Sequence, residues 1–233
     1  MANGKIYITL FAIAAVTAVQ GATESFNFKW KASLNSDTGI ATSREESLFV
    51  FPTAASTTQR DVANFARSII HDYPKFLTRP SLTLGLITRK DASKETALCT
   101  SVCHLNLLSF GSAVDAPKPT YRKQARKYSG NVVCCVEIPI LGGLLSQSSA
   151  GERSNAGCLR FTLIRNTKAS PDDAYKFVTE IAGNYQPSIA GERYPRSKLR
   201  SAVYCATQRM FHEYVMWRFH RAVRDELRQH LIS

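Results

Sequence analysis

Apolar and polar residues alternate along several stretches of the chain, with the period of two that is typical of half-buried strands. Phe26, Phe28 and Trp30 alternate with polar residues near the start, and Ser47 to Phe51 resembles a second short strand. Further strands are predicted at Leu82 to Leu86, Leu98 to Phe110, Asn131 to Leu141 and Leu159 to Leu163. Together these patterns predict a sheet of neighbouring strands.

A helical period of apolar residues first appears between Thr58 and His71. One stripe of the predicted helix contains Val62, Phe65, Ala66, Ile69 and Ile70. Thr57 or Thr58 is suited to cap its start, with Asp61 in the first turn, and Pro74 is expected to end it.

The most regular helical pattern follows Pro195 and predicts an amphipathic C-terminal helix of about 30 residues. We expect its apolar face to contain Leu199, Val203, Ala206, Met210, Tyr214 and Trp217, widened by Phe211, Val215, Phe219, Ala222 and Val223. Its polar side is strongly basic, with Arg200, Arg209, Arg218, Arg221, Arg224 and Arg228 against Glu213, Asp225 and Glu226.

Residues 170 to 181 fit two structures. Ser170 and Pro171 suit the start of a helix, whereas Phe177, Thr179 and Ile181 alternate as in a strand. We favour a hairpin strand that returns along residues 158 to 165, because the preceding strand needs a partner.

The first 21 residues predict export from the cell. Lys5 precedes the apolar run Ile6 to Val19, which is too short to span a bilayer and ends in the small-residue pattern Val19-Gln20-Gly21. We expect a signal peptide over residues 1 to 21, cleaved after Gly21, and a secreted or lumenal protein. An uncleaved anchor or an organellar leader is the alternative.

The remaining residues are enough for one domain with a substantial core. We place this domain at residues 46 to 233 and leave residues 22 to 45 as either a strand or an extended arm. All six cysteines lie beyond the leader, where an exported protein permits disulfides, but the sequence does not assign their pairing.

The formal net charge of +12 predicts attraction to anionic partners. Part of this charge lies in a segment after Pro117 and Pro119, where Arg122, Lys123, Arg126 and Lys127 are flanked by Tyr121 and Tyr128. A plain solvated loop, contact with an anionic lipid or glycan surface, and nucleic-acid binding are all open, and nucleic acid is the least favoured.

The order of elements resembles one known superfamily. An early helix, a run of antiparallel strands and a long C-terminal helix, with the finish Thr179-Glu-Ile, Tyr185-Gln-Pro, Tyr204 and His212 to His220, is similar to the START-like, polyketide-cyclase-type (helix-grip) superfamily. The resemblance implies an α+β fold, in which a curved antiparallel sheet packs on the C-terminal helix. The segments at 117 to 128 and 142 to 157 are longer than a minimal version of that fold needs.

The same resemblance implies that a lipid or other small hydrophobic molecule binds between sheet and helix. In this chain, the predicted cavity residues are Phe161, Leu163, Met210, Tyr214 and Trp217. The alternative is a secreted interaction protein or effector that acts through its basic surface.

Metal and catalytic chemistry find little support in the sequence. His212-Glu213 matches the start of a zinc-protease motif, but Met216 stands where the second histidine is needed. His212 and His220 are about 12 Å apart along a helix, too far to share one metal ion. No cofactor motif is present and no pattern names a nucleophile, acid or base, so a non-enzymatic function is favoured.

Overall fold

The computed structural model describes residues 27–35, 37–51, 58–116, 131–146, 157–166, 173–188 and 209–232. The strands are β1 (Phe28–Leu34), β2 (Ala41–Phe51), β3 (Ile87–Asp91), β4 (Glu95–Thr100), β5 (Asn106–Gly111), β6 (Val114–Asp115), β7 (Asn131–Gly142), β8 (Cys158–Asn166) and β9 (Asp173–Ala182). The helices are α1 (Gln59–His71), α2 (Tyr73–Phe76), α3 (Pro80–Thr83) and α4 (Met210–Ile232). The leader, the basic segment at 117 to 128 and Cys205 lie outside the described residues.

The strands form one antiparallel sheet that is curved and does not close into a barrel. Its order is β1-β2-β9-β8-β7-β5-β4-β3, and β6 also pairs with β7. The long helix α4 packs against β2, and α1 packs against β7 and α4. The predicted α+β class, with a curved antiparallel sheet and a C-terminal helix, is therefore confirmed.

Helix α1 forms as its sequence predicts. The Thr58 side chain accepts a hydrogen bond from the backbone of Asp61, and the Asp61 carboxylate accepts one from the backbone of Thr58 in return. This reciprocal capping box satisfies two backbone donors that would otherwise lack partners at the helix start. Val62, Ala66 and Ile70 of this helix are buried in the core.

Strands predicted near Leu82 and Leu98 are wrong in part. Leu82 belongs to the short helix α3, and Leu84 has a left-handed backbone that ends it, so β3 starts only at Ile87. Residues 98 to 110 are a hairpin of β4 and β5 with a turn between them. Leucine spacing alone could not distinguish these turns from continuous strand.

The remaining strand predictions are confirmed. The ambiguous segment is the hairpin strand, since β9 pairs with β8 along its whole length. The first predicted strand is β1, which pairs with β2, and β2 itself extends six residues before Ser47.

The buried face of α4 agrees with the predicted one only in part, since Val215, Phe219 and Val223 belong to both. Its fully buried positions are Val215, Met216, Phe219, His220, Val223 and Leu227. Met210 is exposed, and Tyr214 and Trp217 are only half-buried, so these three lie outside the buried stripe. The broad distribution of aromatic residues around this helix concealed which side faces the core.

Phe219 marks the centre of the helix–sheet packing. We call Tyr73, Phe161, Phe177 and Phe219 the aromatic cluster. The Phe219 ring lies 4.8 Å from Tyr73, 5.5 Å from Phe161 and 6.2 Å from Phe177, measured between ring centroids. All four side chains are buried, and they fill the space between α4 and the middle of the sheet.

Candidate functional site

Next to the aromatic cluster, the concave face of the sheet changes from apolar to polar. Strand β2 directs Ser43, Glu45 and Ser47 to this face, because alternate residues of a strand point to the same side. Thr179 of β9 lies directly opposite Glu45. We call these four buried side chains the polar stripe.

His220 of α4 lies over one end of the polar stripe. Its Nδ1 is 2.7 Å from the Ser47 hydroxyl oxygen, and its Nε2 is 2.9 Å from that of Thr179. Complete burial lowers the pKa of His220 to about 3, with a smaller effect from His212. The neutral ring therefore donates to one hydroxyl and accepts from the other.

His212 lies over the other end of the polar stripe, about two helical turns closer to the start of α4 than His220. Its Nε2 is 3.1 Å from the Ser43 hydroxyl oxygen and 3.2 Å from Oε1 of Glu45. The second contact is an ion pair only when the imidazole is protonated. Because both contacts use the same nitrogen, the three residues do not form a Ser-His-acid relay, which needs both ring nitrogens.

Glu45 is the least satisfied group in this region. Its side chain is 1% exposed, and neither carboxylate oxygen accepts a hydrogen bond in the part of the chain that the structure describes. Oε1 has the His212 contact, whereas Oε2 has no polar partner there. A buried carboxylate without hydrogen bonds is energetically costly, and native proteins rarely retain one without a reason.

A second layer of charged and aromatic groups surrounds Glu45 at the sheet edge. Trp30 of β1 is the direct cross-strand neighbour of Glu45. The Arg209 guanidinium lies 4.5 Å from the centre of the Trp30 ring, a cation–π contact. Burial raises the pKa of Glu213, although Arg209 and a hydrogen bond from the Trp30 side chain oppose that shift. This edge of the sheet thus combines two carboxylates with an aromatic ring that already contacts a cation.

On the convex face, charged residues of β2, β9, β8 and β7 form a row of ion pairs. Arg44, Glu180, Arg160 and Glu137 follow one another across four strands with alternating sign, and each forms an ion pair with a neighbour. Glu46, next to Glu45 in sequence, pairs with Arg44 and Lys176. Although partial burial acts to raise it, these cations hold the pKa of Glu46 below its usual value. The lack of hydrogen-bond partners at Glu45 is therefore confined to the concave face.

The five predicted cavity residues differ in burial. Phe161 belongs to the aromatic cluster, and Leu163, two residues further along β8, is equally buried. Met210, Tyr214 and Trp217 lie outside the buried stripe of α4, with the Tyr214 and Trp217 rings stacked 6.4 Å apart. Phe161 is nevertheless in the same cross-strand row as Glu45, separated from it by Thr179.

Sequence reasoning missed Ser43, Glu45 and Trp30 as site residues. The segment Thr42 to Ser47 contains no apolar residue, so it gave no strand pattern and the strand was predicted to start only at Ser47. Trp30 was recognised as a strand residue without a role. The one available indication was the pair of histidines on α4, because a buried histidine requires polar partners opposite it.

Other predicted chemistry can be placed in part. Arg122, Lys123, Arg126 and Lys127 lie outside the described residues. On α4, Arg224 pairs with Asp225 at 2.8 Å, and Glu226 lies 3.8 Å from Arg79, so the basic side is partly neutralised. Among the described residues, no disulfide joins the cysteines Cys99, Cys103, Cys134, Cys135 and Cys158.

Within the described segments, no cluster of three or more His, Cys, Asp or Glu side chains is arranged to hold a metal ion. Among the helices described, none is both long and apolar enough to cross a membrane. In comparisons with known proteins, no family model and no curated protein matches the chain.

Proposed function

We propose that the chain is an exported helix-grip protein, similar in architecture to the START-like superfamily, that binds a small hydrophobic molecule between its sheet and α4. The curved, open antiparallel sheet and its long C-terminal helix support this assignment. The apolar leader supports export.

The observation on which the proposal rests is the buried Glu45 carboxylate. Its Oε2 has no polar partner among the described residues, although the whole side chain is removed from water. A ligand that donates a hydrogen bond or brings a positive charge would satisfy this oxygen. Beyond the polar stripe, the buried rings of the aromatic cluster give the same face an apolar part, as a hydrophobic ligand requires.

On this proposal, the site lies next to Glu45, at the start of α4 and the edge of the sheet. Phe161 and Leu163 would lie beneath the inner end of the ligand, and Trp30 would form the wall nearest the edge. Arg209 covers the Trp30 ring, so entry requires this guanidinium to move aside. Met210, Tyr214 and Trp217 would contact the ligand only at its outer end.

The two tryptophans of the chain provide a matched test, since Trp30 and Trp217 are the only ones. Uptake of the lipophilic probe N-phenyl-1-naphthylamine should fall strongly in Trp30→Ala and little in Trp217→Ala. Circular dichroism and melting temperature show whether each variant is folded. If wild-type protein takes up no probe, or if Trp30→Ala takes up as much as wild type, the proposed site is wrong.

A second candidate function is supported by the net charge of +12, which favours an interaction protein or effector that recognises an anionic partner. Replacing Arg122, Lys123 and Arg126 with Glu should then abolish partner binding while leaving probe uptake unchanged. The opposite result, lost uptake with intact surface binding, would assign the function to the sheet–helix site.

A further inference from the structure

Large apolar side chains are exposed together at the corner of the sheet farthest from β1. They come from three turns, at residues 83–87, 101–106 and 143–146. The exposed residues are Leu84, Leu86, Val102, Leu105 and Leu144, and we call them the apolar corner. Val102 is 87% exposed and Leu84 is 63% exposed, so packing within the chain does not account for either.

Backbone hydrogen bonds place the three turns side by side. The amide of Ser101 donates to the carbonyl of Leu86 at 3.0 Å, and the amide of Leu144 donates to the carbonyl of Asn106 at 3.0 Å. Ser101 and Asn106, which flank Val102 and Leu105, thus join this turn to the other two. The apolar corner is therefore one surface.

Two of these turns hold their tips in a strained conformation. Leu84 has a φ of 53° and His104 a φ of 52°, in the left-handed region that favours glycine. Leu84 adopts this backbone conformation and directs its large apolar side chain into solvent. The residue after it is Gly85, so leucine and not glycine stands at the first left-handed position. Strained residues that contribute no packing are concentrated at functional sites.

We propose that the apolar corner inserts into the surface of an anionic phospholipid bilayer. The three turns contain no Asp, Glu, Lys or Arg, whereas the whole chain has 30 Lys and Arg against 18 Asp and Glu. Leucine and valine at the tips of turns enter the acyl boundary, and the positive net charge adds attraction to anionic head groups. This surface is distinct from the proposed ligand site, so either proposal can fail without the other.

Co-sedimentation with lipid vesicles tests the proposal. The full chain should bind phosphatidylcholine–phosphatidylserine vesicles, and binding should weaken as salt is raised. The double variant Leu84→Ser/Val102→Ser should bind about tenfold or more weakly, because two exposed side chains no longer enter the bilayer. The matched control is Leu48→Ser/Val50→Ser, which changes two other exposed residues on β2 and should bind like wild type.

Three results would overturn the proposal. The first is equal binding by the corner variant and wild type, and the second is no binding of wild-type protein to these vesicles. The third is concentration-dependent self-association of the wild type, measured by analytical ultracentrifugation, that disappears in the corner variant. That result would assign the apolar corner to a second copy of the chain. An unchanged melting temperature of the corner variant excludes unfolding as the cause of any loss.

Discussion

The two halves of the interface between the sheet and α4 are built differently. In the aromatic cluster, Phe219 contacts rings from α2 and two strands, and all four side chains are buried. In the polar stripe, hydroxyl groups and two histidines surround a carboxylate that lacks hydrogen-bond partners among the described residues. The first arrangement stabilises the fold through burial and packing. The second leaves a buried carboxylate without hydrogen bonds, and the ligand site that we propose rests on this group.

The largest expected effect comes from the aromatic cluster. Phe219→Ala should lower the free energy of unfolding by about 3–5 kcal/mol, because it leaves a cavity among three other rings. Ser47→Ala in the polar stripe should cost about 1–3 kcal/mol, since it removes one partner of His220. Urea denaturation of both variants measures the difference. Equal losses would remove the contrast between the two halves.

A smaller effect is expected from pH, through His220. Its folded pKa of about 3 lies below that of an unfolded histidine, so the unfolded chain binds the extra proton between these values. The histidine's contribution to stability is complete above the unfolded pKa and decreases as pH falls toward 3. By pH 5 the loss is about 2 kcal/mol.

The variant His220→Gln separates this effect from other titrations. Its amide still donates and accepts hydrogen bonds but has no proton to gain over this range. Urea midpoints at pH 7 and pH 5 should therefore differ less in this variant than in wild type. The same decrease in both proteins would show that His220 does not account for it.

The smallest effect is expected at Glu45. Glu45→Gln should leave stability unchanged or raise it by up to about 1 kcal/mol, since it removes a buried charge without hydrogen bonds. The matched control Glu46→Gln should lower stability by up to about 1 kcal/mol, because that carboxylate pairs with Arg44 and Lys176. A loss above about 3 kcal/mol in Glu45→Gln would mean that the fold itself satisfies the carboxylate.

The contrast between apolar packing and the polar stripe also explains which parts of the structure the sequence could predict. Elements with a clear apolar period, such as α1, β7 and β8, were located well, because burial of one face dictates the residue pattern. The turn at Leu84 was missed, since a left-handed leucine leaves no mark on leucine spacing. The buried face of α4 was predicted only in part, because Met210, Tyr214 and Trp217 are apolar although none of them is fully buried.

The candidate site was harder to predict than the fold. Glu45 lies in an entirely polar segment, and its burial arises only when α4 packs His212 over β2. A long-range contact of this kind joins residues 169 positions apart, as the Ser43–His212 pair shows. Local pattern cannot indicate which polar residue will be buried by so distant a part of the chain.

Native mass spectrometry of the chain, purified from an exporting host, shows whether Glu45 anchors a bound ligand. Wild type and Glu45→Gln should be compared before and after extraction with organic solvent. We expect wild type to retain a small hydrophobic molecule that extraction removes, and Glu45→Gln to retain much less of it while remaining folded. A bare protein mass for wild type before extraction, or equal retention by both proteins, would contradict the account of Glu45 as the polar anchor of a ligand site.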